Sequence, residues 1–339
     1  MAAMGAGLFL AGAAIGVAGS YALQSELATG PRTADQSEPG MPGDGPSYED
    51  AGQPDDLASA SDARTAGRDT AAKKARDEAA EPHAQDAQRP PKWRRNAAPI
   101  RDAGADKPRI AIVIDDLGLS VEATRTAIEL PSPLTLSFLT YAPSEDLTTL
   151  TTAARDGGHE VMAHVPMQAA SENVNPGPHA LTDAMSAQAL HANLTWGLNR
   201  LSGYVGINNH MGSALTADET AMQRVMAELD ERGLLFLDSR TTAETRATQA
   251  ADAAGVPYTE RDVFLDNAKD RGAIREQLRE LEAAARRKGT AVAIGHPYEV
   301  TLSVLASWMP EARRRGIAFV PVSAAVDQAD RRNVAALPD

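Results

Sequence analysis

The chain has no cysteine. That excludes a disulfide framework, a thiolate zinc site, an iron–sulfur cluster and a cysteine nucleophile, so any metal must be held by His, Asp, Glu or Asn. Aromatic residues make up 4% of the 339 positions. A sugar cleft walled by rings would have to draw on Trp196, Trp308, Tyr204 or Tyr298, for most of which core packing is the better assignment. Basic residues are outnumbered, 33 Lys and Arg against 46 Asp and Glu, and form no long run. Nucleic acid requires a concentrated cationic footprint, which counts against it as a partner. No glycine-rich loop leads into a lysine, and neither a Gly-x-Gly-x-x-Gly spacing nor a Gly-x-Ser-x-Gly elbow occurs. Nucleotide binding and a serine nucleophile lose their support with them.

What is present falls into three regions. Residues 1–25 carry no charge and are rich in Ala, Gly and Leu. At about 1.5 Å per residue they could cross a hydrocarbon core about 30 Å thick, so we expect a transmembrane anchor or an export signal. The remainder is then expected outside the cytoplasm, anchored to an inner membrane and facing the periplasm, or secreted if the segment is cleaved. Residues 26–107 are dominated by Ala, Gly, Pro, Ser, Asp and Arg, with few large apolar residues, Trp93 and Ile100 among them. Such a stretch cannot bury enough surface to offset its ordering entropy and is expected to be a disordered tether. Arg89, Lys92, Arg94 and Arg95 form a basic cluster in it, read as a solvated patch.

From residue 108 to 327 the pattern changes, leaving a short tail at 328–339. Strand-like runs at 109–114, 134–139, 160–163, 205–207, 234–237, 291–294 and 317–320, with a weaker one at 256–258, alternate with amphipathic stretches. Sustained alternation implies parallel strands with crossover helices, and seven or eight units imply a closed or nearly closed (β/α) barrel, with a doubly wound open sheet second.

In parallel α/β folds chemistry collects at the carboxyl ends of the strands. There the sequence places Asp115-Asp116, His164, Asn208-Asn209-His210, Asp238-Ser239-Arg240 and His296, with Asp266 in a run that precedes a helix. Three of the seven histidines share this expected mouth with an Asp-Asp pair, which points to a metal or catalytic site. Adjacent residues on a strand alternate, so Asp115 and Asp116 are expected to diverge. The competing role for the pair is to cap the next helix, a task Ser120 could perform alone.

The motifs Ile114-Asp115-Asp116-Leu117-Gly118, Gly158 to Met167, Asn208 to Ser213, Phe236 to Thr241 and Ile294-Gly295-His296-Pro297, taken in order, resemble the divergent polysaccharide deacetylase family over about 108–326. The resemblance implies a distorted (β/α) barrel and a divalent metal, usually zinc, held by one Asp and two His. It implies Asp115 as general base, Asp116 and His164 as metal ligands and His296 as general acid. The position four residues after His164, where better-known members carry the second metal histidine, is Gln168, so His210, the remaining histidine in the mouth, is taken as the third ligand. An arginine-proline motif is missing; Asn208, Asn209 or Arg240 would take over some of its work, with Asp238, Arg240 and Asp266 orienting a histidine or binding sugar. The implied activity is removal of N- or O-acetyl groups from an extracytoplasmic polysaccharide. The alternatives are a catalytically silent barrel that binds a glycan or an envelope protein, and a metal-dependent phosphoesterase.

Overall fold

The computed structural model describes residues 89–100, 104 and 107–326. The expected anchor, most of the expected tether and the tail lie outside the described residues. Among the described residues no helix is long and apolar enough to cross a membrane.

The strands are β1 (Arg109–Leu117), β2 (Thr135–Leu139), β3 (Glu160–Met167), β4 (Tyr204–Met211), β5 (Leu235–Asp238), β6 (Tyr258–Glu260), β7 (Val263–Phe264), β8 (Thr290–Gly295) and β9 (Ala318–Phe319). The helices are α1 (Lys92–Asn96), α2 (Val121–Ile128), α3 (Ser144–Asp156), α4 (Ala187–Leu198), α5 (Glu219–Arg232), α6 (Ala247–Ala254), α7 (Arg271–Lys288) and α8 (Glu299–Arg314). All the strand pairs are parallel, in the order β6-β5-β4-β3-β2-β1-β8-β7, with β9 beside the start of β1. Helix boundaries follow local chemistry. Ser120, Ser186, Asp218 and Asp270 accept backbone N–H bonds at the starts of α2, α4, α5 and α7, satisfying donors that the first turn leaves free.

The expected closed or nearly closed (β/α) barrel is met in part, as a parallel-strand half-barrel. No ladder joins β6 to β7, which are three and two residues long. Instead one bent stretch serves both edges: Arg261 N donates to Asp238 O on the β5 side, and Asp262 N donates to Val292 O on the β8 side. With only two residues between them, β6 and β7 leave no room for a crossover helix.

Alternation along the strands divides the core into two layers. Ile110, Ile112, Ile114, Leu136, Phe138 and Val161 pack outward against helix residues such as Leu147, Leu194, Val225, Leu278 and Leu305. Ala111, Val113, Met162, Val205, Leu235, Leu237, Val292 and Ile294 form a second cluster on the concave face, closed off by Trp93, Val320 and Val322.

Trp93 corrects the expected tether. It is 3% exposed. Its backbone N–H donates to Gly233 O at 2.9 Å, Asn96 Nδ2 donates to Tyr204 O at 2.7 Å, and Lys92 Nζ lies 3.9 Å from the centre of the Tyr204 ring. An isolated indole in a polar stretch looks like linker, yet it fills the end of the half-barrel where β4 and β5 begin. Trp93→Ala is expected to cost about 3–5 kcal/mol, the range for deleting a buried large aromatic. Denaturant unfolding measures it, and an unchanged midpoint would mean that this segment does not pack in solution.

Candidate metal centre and active site

The site begins with an irregularity in β1. Ile114 pairs with Leu136 and Leu117 with Phe138, so Asp115 and Asp116 together stand opposite the single residue Ser137. Asp116 takes the left-handed conformation, φ 57°, which a short polar side chain tolerates. Ile114 and Leu117 both face the outer layer, and the bulge turns both carboxylates toward the mouth. The expected divergence of the two acids is therefore overturned, because the alternation that predicted it stops at the bulge. Capping does not occupy them either, since Ser120 Oγ accepts from Ala123 N.

Strands β3 and β4 bring the histidines. Their register sets His164 beside Asn208 and Pro166 beside His210. Asn208 is a buried hub: its Nδ2 donates to Asp115 Oδ1 and Oδ2, both at 2.9 Å, and to Ser239 Oγ at 3.2 Å. Its Oδ1 accepts from Ser137 Oγ at 2.5 Å and lies 3.0 Å from His164 Nδ1. Because that amide oxygen can only accept, Nδ1 carries the proton and a neutral His164 keeps the lone pair of Nε2. This Nε2 lies 3.2 Å from Asp116 Oδ1, and His210 Nδ1 lies 3.0 Å from the same oxygen. Asp116 Oδ1 is buried and accepts no hydrogen bond from any described residue.

A buried carboxylate oxygen without a donor is costly, and two imidazole nitrogens aimed at it form an incomplete arrangement. One donor atom from each of Asp116, His164 and His210 lies within 4.8 Å of the others. Oxygen and two nitrogens in that span suit a divalent cation. Gln168 takes no part: its Oε1 accepts from Asp183 N and its N–H donates to Leu181 O, which holds the loop that follows β3.

His296 closes the other side. Asp266, 3% exposed, accepts from His296 N at 2.7 Å and Thr301 Oγ1 at 2.8 Å and lies 2.9 Å from His296 Nδ1. That fixes the ring with Nε2 directed inward, 3.8 Å from Asp116 Oδ2. Phe264 and Tyr298 flank it, with ring centroids at 5.4 and 5.6 Å.

Burial dominates at Asp115 and raises its carboxyl, with His164, His296 and Asn208 offsetting only part. Burial opposes charge at Asp116 too, but His164 and His210 outweigh it and hold that carboxyl well below the usual range. Two neighbouring acids are thus pushed apart, as expected where one acts as a base and the other as a ligand. Burial would lower His164 and His296, yet the surrounding carboxylates win at both, and His296 is raised to about 9. Burial, then the charge of Asp116, push the Tyr141 phenol to about 12.

The remaining expected residues divide. Asn209 Oδ1 accepts from Ser239 N, and its Nδ2 donates to Met211 O, so it joins the loops after β4 and β5. Asp238 accepts from Arg240 N and Thr245 Oγ1, while the Arg240 guanidinium pairs with Glu260 at 2.6 Å. Neither orients a histidine; they shape a loop, because the left-handed Arg240, φ 51°, turns its side chain toward β6. Trp308 and Tyr204 are buried, and Trp196 is covered by His179 and Arg200, which leaves Tyr298 as the one of the four candidate rings beside the site. Ser137, Tyr141 and Arg261 were not foreseen, and Ser239 was placed at the mouth without a role. Arg261 donates from Nε to Ser239 O and from Nη2 to Arg240 O, and Asp115 acts electrostatically on it. No local spacing signals any of the four; the strand-end rule pointed to Ser239 alone.

Among curated proteins, the chain is 36% identical over 197 residues to the uncharacterized protein YibQ of Escherichia coli, covering 58% of this chain and 61% of that one. It therefore spans less than two thirds of the length of YibQ. It is 34% identical over 197 residues to an uncharacterized protein of Haemophilus influenzae, covering 58% and 69%. Among solved structures, the uncharacterized protein ATU2773 of Agrobacterium tumefaciens superposes with a TM-score of 0.66 at 32% identity, over 69% of this chain and 95% of that one. The profile described as divergent polysaccharide deacetylase matches residues 112–326, a span that runs from β1 to beyond β9 and holds Asp115, Asp116, His164, Asn208, His210, Asp266 and His296. With the paired acids and the three histidines inside that match, the chain belongs to the divergent polysaccharide deacetylase family.

Proposed function

We propose that this protein is a metal-dependent hydrolase that removes N- or O-acetyl groups from an extracytoplasmic polysaccharide, with zinc as the expected ion. The observation that carries the reading is the donor-less Asp116 oxygen facing His164 and His210, with Asp115 on one side and His296 on the other. Asp116, His164 and His210 would hold the ion, which supplies Lewis acidity and lowers the pKa of water. Asp115 takes a proton from the water as it attacks the acyl carbon, and its raised carboxyl makes it a stronger base than a surface aspartate. Asn208 keeps Asp115 and His164 in register by bonding both. His296, with Nδ1 held by Asp266, hands a proton from Nε2 to the departing amine or alkoxide. The uncharged first 25 residues support an anchored or exported protein, which would bring this mouth to envelope glycans.

The experiment is acetate release by the metal-loaded full chain from an N-acetylglucosamine oligomer and from 4-nitrophenyl acetate. His296→Ala is expected to lower kcat about 100-fold or more on the oligomer, whose leaving amine needs a proton, and much less on the nitrophenyl ester, whose leaving group needs none. Equal losses on both would remove His296 from the role of acid. No acetate from either substrate would remove the hydrolase reading.

A further inference from the structure

We propose that Tyr141 is a further catalytic residue of this site, its hydroxyl donating a hydrogen bond to the substrate acyl oxygen as negative charge builds there; this rests on the deacetylase reading above. Tyr141 lies two residues beyond β2, and β2 sits between β1 and β3, the strands that carry Asp116 and His164. Thr140 N donates to His164 O at 3.0 Å, which ties the start of this turn to the strand of that ligand. The Tyr141 ring meets the His210 ring edge-on, with centroids 6.4 Å apart and planes at 65°.

The ring is held there from behind. Gly177, in the loop after β3, has φ 101°, and a Cβ at that position would stand 2.6 Å from Tyr141 Cε1. Only glycine lets the loop backbone press on the ring in this way. The loop is itself tied down by Gln168 through Leu181 and Asp183. Contacts with His210 and with Gly177, the latter along the ring edge that reaches Cζ, thus fix the ring, and fixed donors need no reorganisation during reaction.

Packing accounts for the ring and leaves the hydroxyl unexplained. Among the described residues the Tyr141 hydroxyl has no hydrogen-bond partner, whereas the polar side chains of Asp115, His164, Asn208, Asn209 and His296 in the site are all engaged. A phenylalanine would fill the same space. A tyrosine is neutral and protonated at neutral pH, so it can donate to a developing oxyanion without adding charge beside the two aspartates. The amide donors of Asn208 and Asn209 are already committed, whereas Tyr141 offers a neutral donor on a ring that packs against His210.

The test is Tyr141→Phe in the full chain, with metal content, kcat and KM on 4-nitrophenyl acetate and the N-acetylglucosamine oligomer, and acetate binding by calorimetry to the metal-loaded protein. The expected result is unchanged metal content, kcat lower by about 10- to 100-fold on both substrates, little change in KM, and weaker acetate binding. Wild-type kcat with wild-type acetate affinity would overturn the proposal while leaving the deacetylase reading intact. So would a rise in KM alone, which would make the ring a wall of the cleft. If the wild-type chain hydrolyses neither substrate, the deacetylase reading falls and the catalytic role of Tyr141 falls with it.

Discussion

Asp116→Ala is expected to lose the bound metal entirely, taking stoichiometry from one ion per chain to none and acetate release below about a thousandth of wild type. The expectation follows from one atom. Asp116 Oδ1 is the oxygen at which His164 Nε2 and His210 Nδ1 converge, and no described residue donates a hydrogen bond to it. Without that oxygen, two imidazoles remain with nothing to fix a cation between them. A ligand that binds only the folded state adds RT ln(1 + [L]/Kd), about 2.7 kcal/mol at a hundredfold excess over Kd. For a domain of this size that is roughly 5–10 °C in Tm. Zinc titration with metal analysis and thermal unfolding measures both. A wild-type Tm that does not respond to any divalent ion, or an alanine variant that responds equally, would dismiss the centre.

Asp115→Asn is expected to act in the opposite way on stability and activity. The carboxylate is buried, and burial raises its pKa, so its ionised form costs the folded state free energy. The isosteric amide removes that cost while sacrificing one of two acceptors for Asn208 Nδ2, so Tm is expected to stay level or rise. The base is gone, so kcat is expected to fall by about 100- to 10,000-fold with metal content unchanged. A gain in stability with a loss in rate marks a residue kept for chemistry. If the variant hydrolyses at the wild-type rate, the proton goes elsewhere. If it unfolds, Asp115 is a structural partner of Asn208 first.

Much of this was legible in the chain. The runs at 109–114, 134–139 and 160–163 begin within a residue of β1, β2 and β3, and amphipathic stretches separate them as helices do in the structure. Hydrophobic period and glycine punctuation are local signals, and parallel strands buried on both faces display them strongly. The strand ends were less legible: β1, β3 and β4 extend three or four residues beyond the apolar runs, through Asp115, Asp116, His164 and His210. Polar residues inside a strand read as loop when their partners lie elsewhere in the chain. Trp93 and Ser137 were invisible for the same reason, because each acts through a neighbour more than 70 residues away.

The sequence by itself determined the class of the fold, the chemical types at its mouth and, through the missing cysteine, that any metal must rest on His, Asp, Glu or Asn. Periodicity and residue type are properties of the chain read along its length. Only the tertiary structure decided that a bulge turns both Asp115 and Asp116 inward, that β4 supplies His210 while Gln168 secures a loop, and that one bent stretch between β6 and β7 serves both edges of the sheet. Those are questions of register and of which atoms meet across strands. A shift of one residue reverses them while leaving the pattern along the chain unchanged.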